Sequence, residues 1–105
     1  MKNFATLNLL LASLVFVNVS YAYTEYGSGV SSCGAWVNDR KTSSAWHQNG
    51  QWVNGFVSAA GYFGKTLKNV DSDAILVFMD NYCQQNPLNS IGDGAKALVR
   101  ELESK

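Results

Sequence analysis

The sequence predicts an all-α protein: a small four-helix bundle with one disulfide, following an N-terminal signal peptide. Three observations carry that expectation. Apolar residues recur at three- and four-residue steps in four windows, and no run shows the strict alternation of a half-buried strand. The only two cysteines, Cys33 and Cys83, lie in a chain that opens like an exported protein, where two thiols are expected to pair.

Residues 1–22 read as a signal peptide. Lys2 supplies the positive start, and Ala5 to Val19 is an apolar stretch broken only by Thr6, Asn8, Ser13 and Asn18. Ser20 and Ala22 place small residues where signal peptidase reads them, so cleavage is expected after Ala22 and the periplasm is the expected location. About 15 apolar-dominated residues fall short of the roughly 20 needed to span a bilayer, so no stable membrane insertion is expected after cleavage. No cysteine follows the stretch to carry a lipid anchor.

The remaining residues, 23–105, make one domain, with 23–31 as a flexible lead-in and 32–105 as the helical domain. Once Lys2 is removed, seven Lys and Arg face eight Asp and Glu, a net charge of −1 with His47 neutral. That balance offers no electrostatic reason to expect nucleic acid or an anionic membrane as a partner. A domain this small is often marginal without a staple. A disulfide closing about 50 residues adds on the order of 4 kcal/mol in the chain-entropy account.

Tyr23 to Ser32 contains Gly27, Ser28 and Gly29 without apolar periodicity, although Tyr23 and Tyr26 could dock on the domain. Ser32 is a plausible N-cap for a first helix carrying Cys33, Trp36 and Val37 at i, i+3 and i+4, ending near Lys41. A second helix fits Asn49 to about Phe63, with Trp52, Val53, Phe56, Val57, Ala60 and Phe63 in one stripe. Gly55 and Gly61 within it are expected at helix–helix contacts. In a third helix, Asp71 and Asp73 suit the start, Ile75, Leu76, Met79, Tyr82 and Cys83 form the apolar arc, and Pro87 forces the stop. The fourth is capped by Asn89 or Ser90, with Asp93 in capping-box position, and packs through Ile91, Ala95, Leu98, Val99 and Leu102. Arg100 and Lys105 suit its C-terminal dipole.

The chemistry-bearing residues do not assemble into a catalytic set. His47 is the only histidine, it lies in a polar segment beside Trp46, and no Gly-x-Ser-x-Gly elbow is present, so it reads as a loop residue. One histidine and two paired cysteines make no zinc set, and the acids lack calcium-loop spacing. Asp71 and Asp73 are explained as helix-start residues and Asp80 by the polar side of its helix. Gly61 to Lys65 lacks the context of a phosphate loop, and cysteines this far apart read as structural. No enzymatic activity, cofactor or metal is expected. The many aromatics remain, most of them expected in the core, with Trp46 and Tyr62 at helix edges as candidate exposed anchors for a protein partner.

The Cys33 helix, the Trp52-Val53-Asn54-Gly55-Phe56 segment, the apolar helix ending in Asp80-Asn81-Tyr82-Cys83-Gln84-Gln85-Asn86-Pro87 and the final amphipathic helix together resemble the HdeA/HdeB group of small periplasmic proteins. The resemblance spans nearly the whole domain after the signal peptide. It implies a helical, non-enzymatic, exported protein, a homodimer at neutral pH, that loosens in acid and binds unfolding clients as a stress chaperone. The stretch Tyr82 to Pro87, followed by a helix ending Ala97-Leu98-Val99-Arg100-Glu101-Leu102, also resembles Rap/Tai-type immunity proteins, which neutralise type VI secretion peptidoglycan amidases by plugging the active site with a loop. That resemblance points to the segment Thr42 to Asn49, with Trp46 and His47, as the plug.

Overall fold

The structure is a computed structural model that describes residues 23–42 and 44–104. The expected signal peptide, residues 1–22, lies outside the described residues. A single 3-10 turn, Gly27–Val30, leads into four helices: α1 (Cys33–Thr42), α2 (Ala45–Tyr62), α3 (Ser72–Gln85) and α4 (Ile91–Leu102). Among the described residues there is no strand, and β-type pairing is confined to two isolated bridges, Ser32 with Ser90 and Leu67 with Glu103.

The helix boundaries follow local chemistry. Ser32 Oγ accepts from Ala35 N at 3.0 Å at the start of α1, and Asp71 Oδ1 accepts from Ala74 N at 2.8 Å at the start of α3. At α4 the capping box is complete: Asp93 N donates to Ser90 Oγ at 3.0 Å and Ser90 N donates to Asp93 Oδ2 at 3.1 Å. Just past the end of α2, Gly64 takes a φ of +118°, and Lys65 N reaches back to Ala60 O at 3.0 Å and so satisfies a terminal carbonyl. α3 stops two residues before Pro87.

α4 is the central element, with Ile91, Ala95, Leu98, Val99 and Leu102 all buried on one face. Both of its ends are tied down by backbone. Ile91 N donates to Ser31 O at 2.9 Å and Cys33 N donates to Asn89 O at 2.7 Å, joining its start to the entry of α1. Lys68 N donates to Leu102 O at 2.7 Å and Ser104 N to Thr66 O at 2.9 Å, joining its end to the α2–α3 connection. Around it, Trp36, Val53, Ile75, Met79 and the Cys33–Cys83 disulfide complete the core. The cystine links the first turn of α1 to the last turns of α3, with Cα atoms 4.7 Å apart. Because the two helices run antiparallel from that point, residues one and two turns further along α1 face residues one turn back along α3.

Within the lead-in 23–31, Ser28 and Gly29 are buried, and Gly29 lies so close to the Trp52 indole that a Cβ there would collide with it. Two expectations need correcting. α2 begins at Ala45 and not Asn49, so Trp46 and His47 are helical and do not lie in a loop. The inward position of that first turn is held by Asn49, a buried polar residue whose Nδ2 donates to Asp39 Oδ2 at 2.9 Å, and a polar residue there interrupts the apolar period. Gly55 faces open space and Gly61 touches only Leu67, whereas the close helix approach falls at Gly94, where a Cβ would meet Met79 Cε at 2.6 Å and Tyr82 Cδ1 at 2.9 Å.

Candidate protein-binding surface

The three residues expected to anchor a partner sit at opposite ends of one helix. Trp46 and His47 open α2 and Tyr62 closes it, sixteen residues later, roughly 24 Å along the axis at 1.5 Å per residue. They form two separate surfaces.

At the first end the aromatics are engaged by the protein itself. The disulfide sets the register of α1 against α3, which brings Trp36 and Arg40 to Asp80. Trp36 Nε1 donates to Asp80 Oδ1 at 2.8 Å, and Arg40 grips the same carboxylate with two donors on one edge, Nε to Oδ1 and Nη2 to Oδ2, each at 2.9 Å. The hydrogen bonds to Asp80 raise the Arg40 guanidinium above its ordinary pKa. The guanidinium lies 4.9 Å from the centre of the Trp46 ring, which stacks on His47 at 3.7 Å. Asp80, expected only to face solvent, is therefore the hub of an Asp80–Arg40–Trp46 clamp. The signal for it was the pairing of Cys33 and Cys83 combined with helical spacing, which sets Asp80 opposite Trp36 and Arg40.

At the other end the aromatics are bare. Tyr62 and Phe63 are 84% and 83% exposed and meet edge to face at 4.9 Å. Phe63, expected on the core stripe, is instead the C-cap that follows the last residue of α2, and it is turned outward. It walls an open groove of about 380 Å³ between α2 and α4. Phe56, Ala60 and Phe63 line one side at i, i+4 and i+7, and Lys96, Val99, Arg100 and Glu103 line the other at i, i+3, i+4 and i+7.

The rim of this groove is cationic. Lys65, Lys96 and Arg100 border it, against one carboxylate, Glu103, which pairs with Lys65 at 3.2 Å. Lys96 reaches Asp93 at 3.3 Å; burial opposes its charge, but the bond to Asp93 and the facing Tyr23 and Glu25 outweigh that and raise its pKa. Sequence reading named none of these groove residues as a site. The signal available was the coincidence of basic residues at helical spacing on α4 with the end of the α2 stripe, and it carries meaning only once the two helices are known to be neighbours.

Among the described residues no three His, Cys, Asp or Glu side chains come together to hold a metal, and no helix is long and apolar enough to cross a membrane. The His47 ring stacks on Trp46. No protein-family model matches the chain, and comparison with curated proteins and with solved structures finds no significant similarity.

Proposed function

We propose that this chain is a non-catalytic periplasmic protein that binds other proteins, of the HdeA/HdeB kind, with an acid-stress chaperone as its specific role. The observation that carries the binding role is the bare Tyr62–Phe63 pair beside an apolar groove. Large aromatics contribute most of their free energy when they leave water, and nothing in the described protein covers these two.

The acid role is supported by where the carboxylates sit. Asp80 joins α1 to α3, Asp39 joins α1 to α2, Asp71 caps the start of α3, and Asp93 accepts from Ser90 N at the start of α4. The hydrogen bond from the Ser90 backbone is the main reason that Asp93 titrates below its ordinary 3.8. A depressed folded pKa adds stability at pH above the unfolded value, and that stability is lost as pH falls through the folded value. In strong acid the protein would therefore lose a cap while its Lys and Arg stay positive, with α1 and α3 still tied by the cystine.

The test is aggregation of an acid-sensitive client near pH 2–3, with and without the purified oxidised protein, and a neutral-pH control. Suppression confined to acid is the expected result. Absence of suppression, together with retention of one envelope protein in a pull-down, would instead identify a dedicated partner such as a toxin enzyme.

A further inference from the structure

We propose that the α2–α4 groove is a docking site, in the folded protein at neutral pH, for an extended protein segment that carries aromatic side chains next to carboxylates. The proposal rests on the protein-binding reading above and specifies the chemistry of the partner.

The template for that chemistry is in the molecule. α2 and α4 run side by side in the same direction, and the seam between them continues past the groove to Trp52 and Gly92. That further stretch is already occupied, by residues 23–30 of the chain itself. Gly27 and Gly29 cover the Trp52 indole, whose Nε1 donates to Tyr26 O at 2.6 Å. The Glu25 carboxylate lies over Gly92, in the first turn of α4, where no Cβ would fit beneath it. The Tyr23 ring sits 5.5 Å from Lys96 Nζ, and Tyr23 Oη donates to Glu25 Oε1 at 2.9 Å. One half of the seam thus takes the Glu25 carboxylate, the Tyr26 carbonyl and, against Lys96, the Tyr23 ring, while the Tyr26 side chain stays 77% exposed.

Lys96 belongs to both halves, since it meets Tyr23 on one side and borders the groove on the other. Beyond it the same materials repeat: Phe56 and Val99 as apolar surface, Phe63 as a wall, and Arg100 as a cation. Arg100 is exposed and has no ion pair among the described residues, while Glu103 is neutralised by Lys65. The open half therefore presents unspent positive charge beside bare aromatic surface, on a protein whose net charge after cleavage is −1. Carboxylates on an incoming segment are attracted there and ammonium groups repelled.

The experiment uses two short acetylated peptides, one alternating Glu and Phe and one alternating Lys and Phe, titrated into the oxidised protein at neutral pH and followed by amide chemical shifts. The acidic peptide is expected to shift Phe56, Ala60, Val99 and Arg100, and to weaken at least about tenfold in Arg100→Glu, which is roughly 1.4 kcal/mol of binding. Its affinity should fall with added salt. Equal binding of the two peptides, shifts centred away from the groove, or unchanged affinity in Arg100→Glu would overturn the proposal, as would binding only to vesicles of phosphatidylglycerol. Client protection that persists in Arg100→Glu and Phe63→Ser, without peptide binding, would remove the groove and leave the protein-binding reading in place.

Discussion

At its N-terminal end α2 holds Trp46 half-buried under an arginine; at its C-terminal end it leaves Tyr62 and Phe63 more than 80% exposed. The residue types are alike and both lie at helix edges, so local sequence does not separate them. What separates them is α1. Arg40, fixed on Asp80 by the register that Cys33–Cys83 imposes, reaches over the first end, and among the described residues no element reaches over the second. An exposed aromatic is thus a statement about missing neighbours, and the closed and open ends should respond differently to substitution.

The largest effect is expected at the closed end. Replacing Cys33 and Cys83 together by Ala should cost about 4 kcal/mol, enough to unfold much of the population at 37 °C, and denaturant unfolding measures it. Asp80→Ala comes next. It leaves the Arg40 guanidinium and the Trp36 N–H without their acceptor, but both charged side chains are 30% exposed and water moderates the loss. About 2 kcal/mol is expected, with a blue or red shift of the Trp46 emission as Arg40 is released. An unchanged midpoint would mean that the clamp is ornamental and that the disulfide alone closes this end.

Asp93→Asn should destabilise by about 1 kcal/mol at pH 7, the usual value of a helix cap. Because the Asp93 carboxyl is depressed below 3.8, the gap between variant and parent should hold above about pH 4 and vanish as pH falls through the lowered value. Thermal midpoints from pH 7 to 2 show this directly. Gly55→Ala should raise stability by about 0.5–1 kcal/mol, since a Cβ there meets nothing within 4 Å and the helix gains propensity. At the open end Tyr62→Ser should move stability by less than about 0.5 kcal/mol, the usual range for an exposed site, while weakening client protection. A large stability loss there would show that the bare pair has a structural role and would remove the main support for a binding surface.

The all-helical order, the caps at Ser32, Asp71 and Ser90, the stop before Pro87 and the buried face of α4 were all legible, because each depends on residues within four positions of one another. The cysteine pairing was legible for a different reason, there being only one pair to make. The start of α2 was not, because Asn49 occupies an inward position that only Asp39 makes acceptable. Gly55 was misread and Gly94 passed over because a glycine looks the same in sequence whether a neighbouring helix presses on it or open water does.

By itself, the sequence determined the order of the helices, where three of the four begin, and which two cysteines join. Only the tertiary structure decided that Tyr26, Gly27 and Gly29 pack on Trp52, that Asp80 is a hub, and that Phe63 is bare beside a cationic groove. The physical reason is range. Capping and periodicity are set by contacts three or four residues apart, whereas exposure and charge at a surface are set by partners such as Arg40 and Asp80, forty residues apart along the chain and adjacent only in the fold.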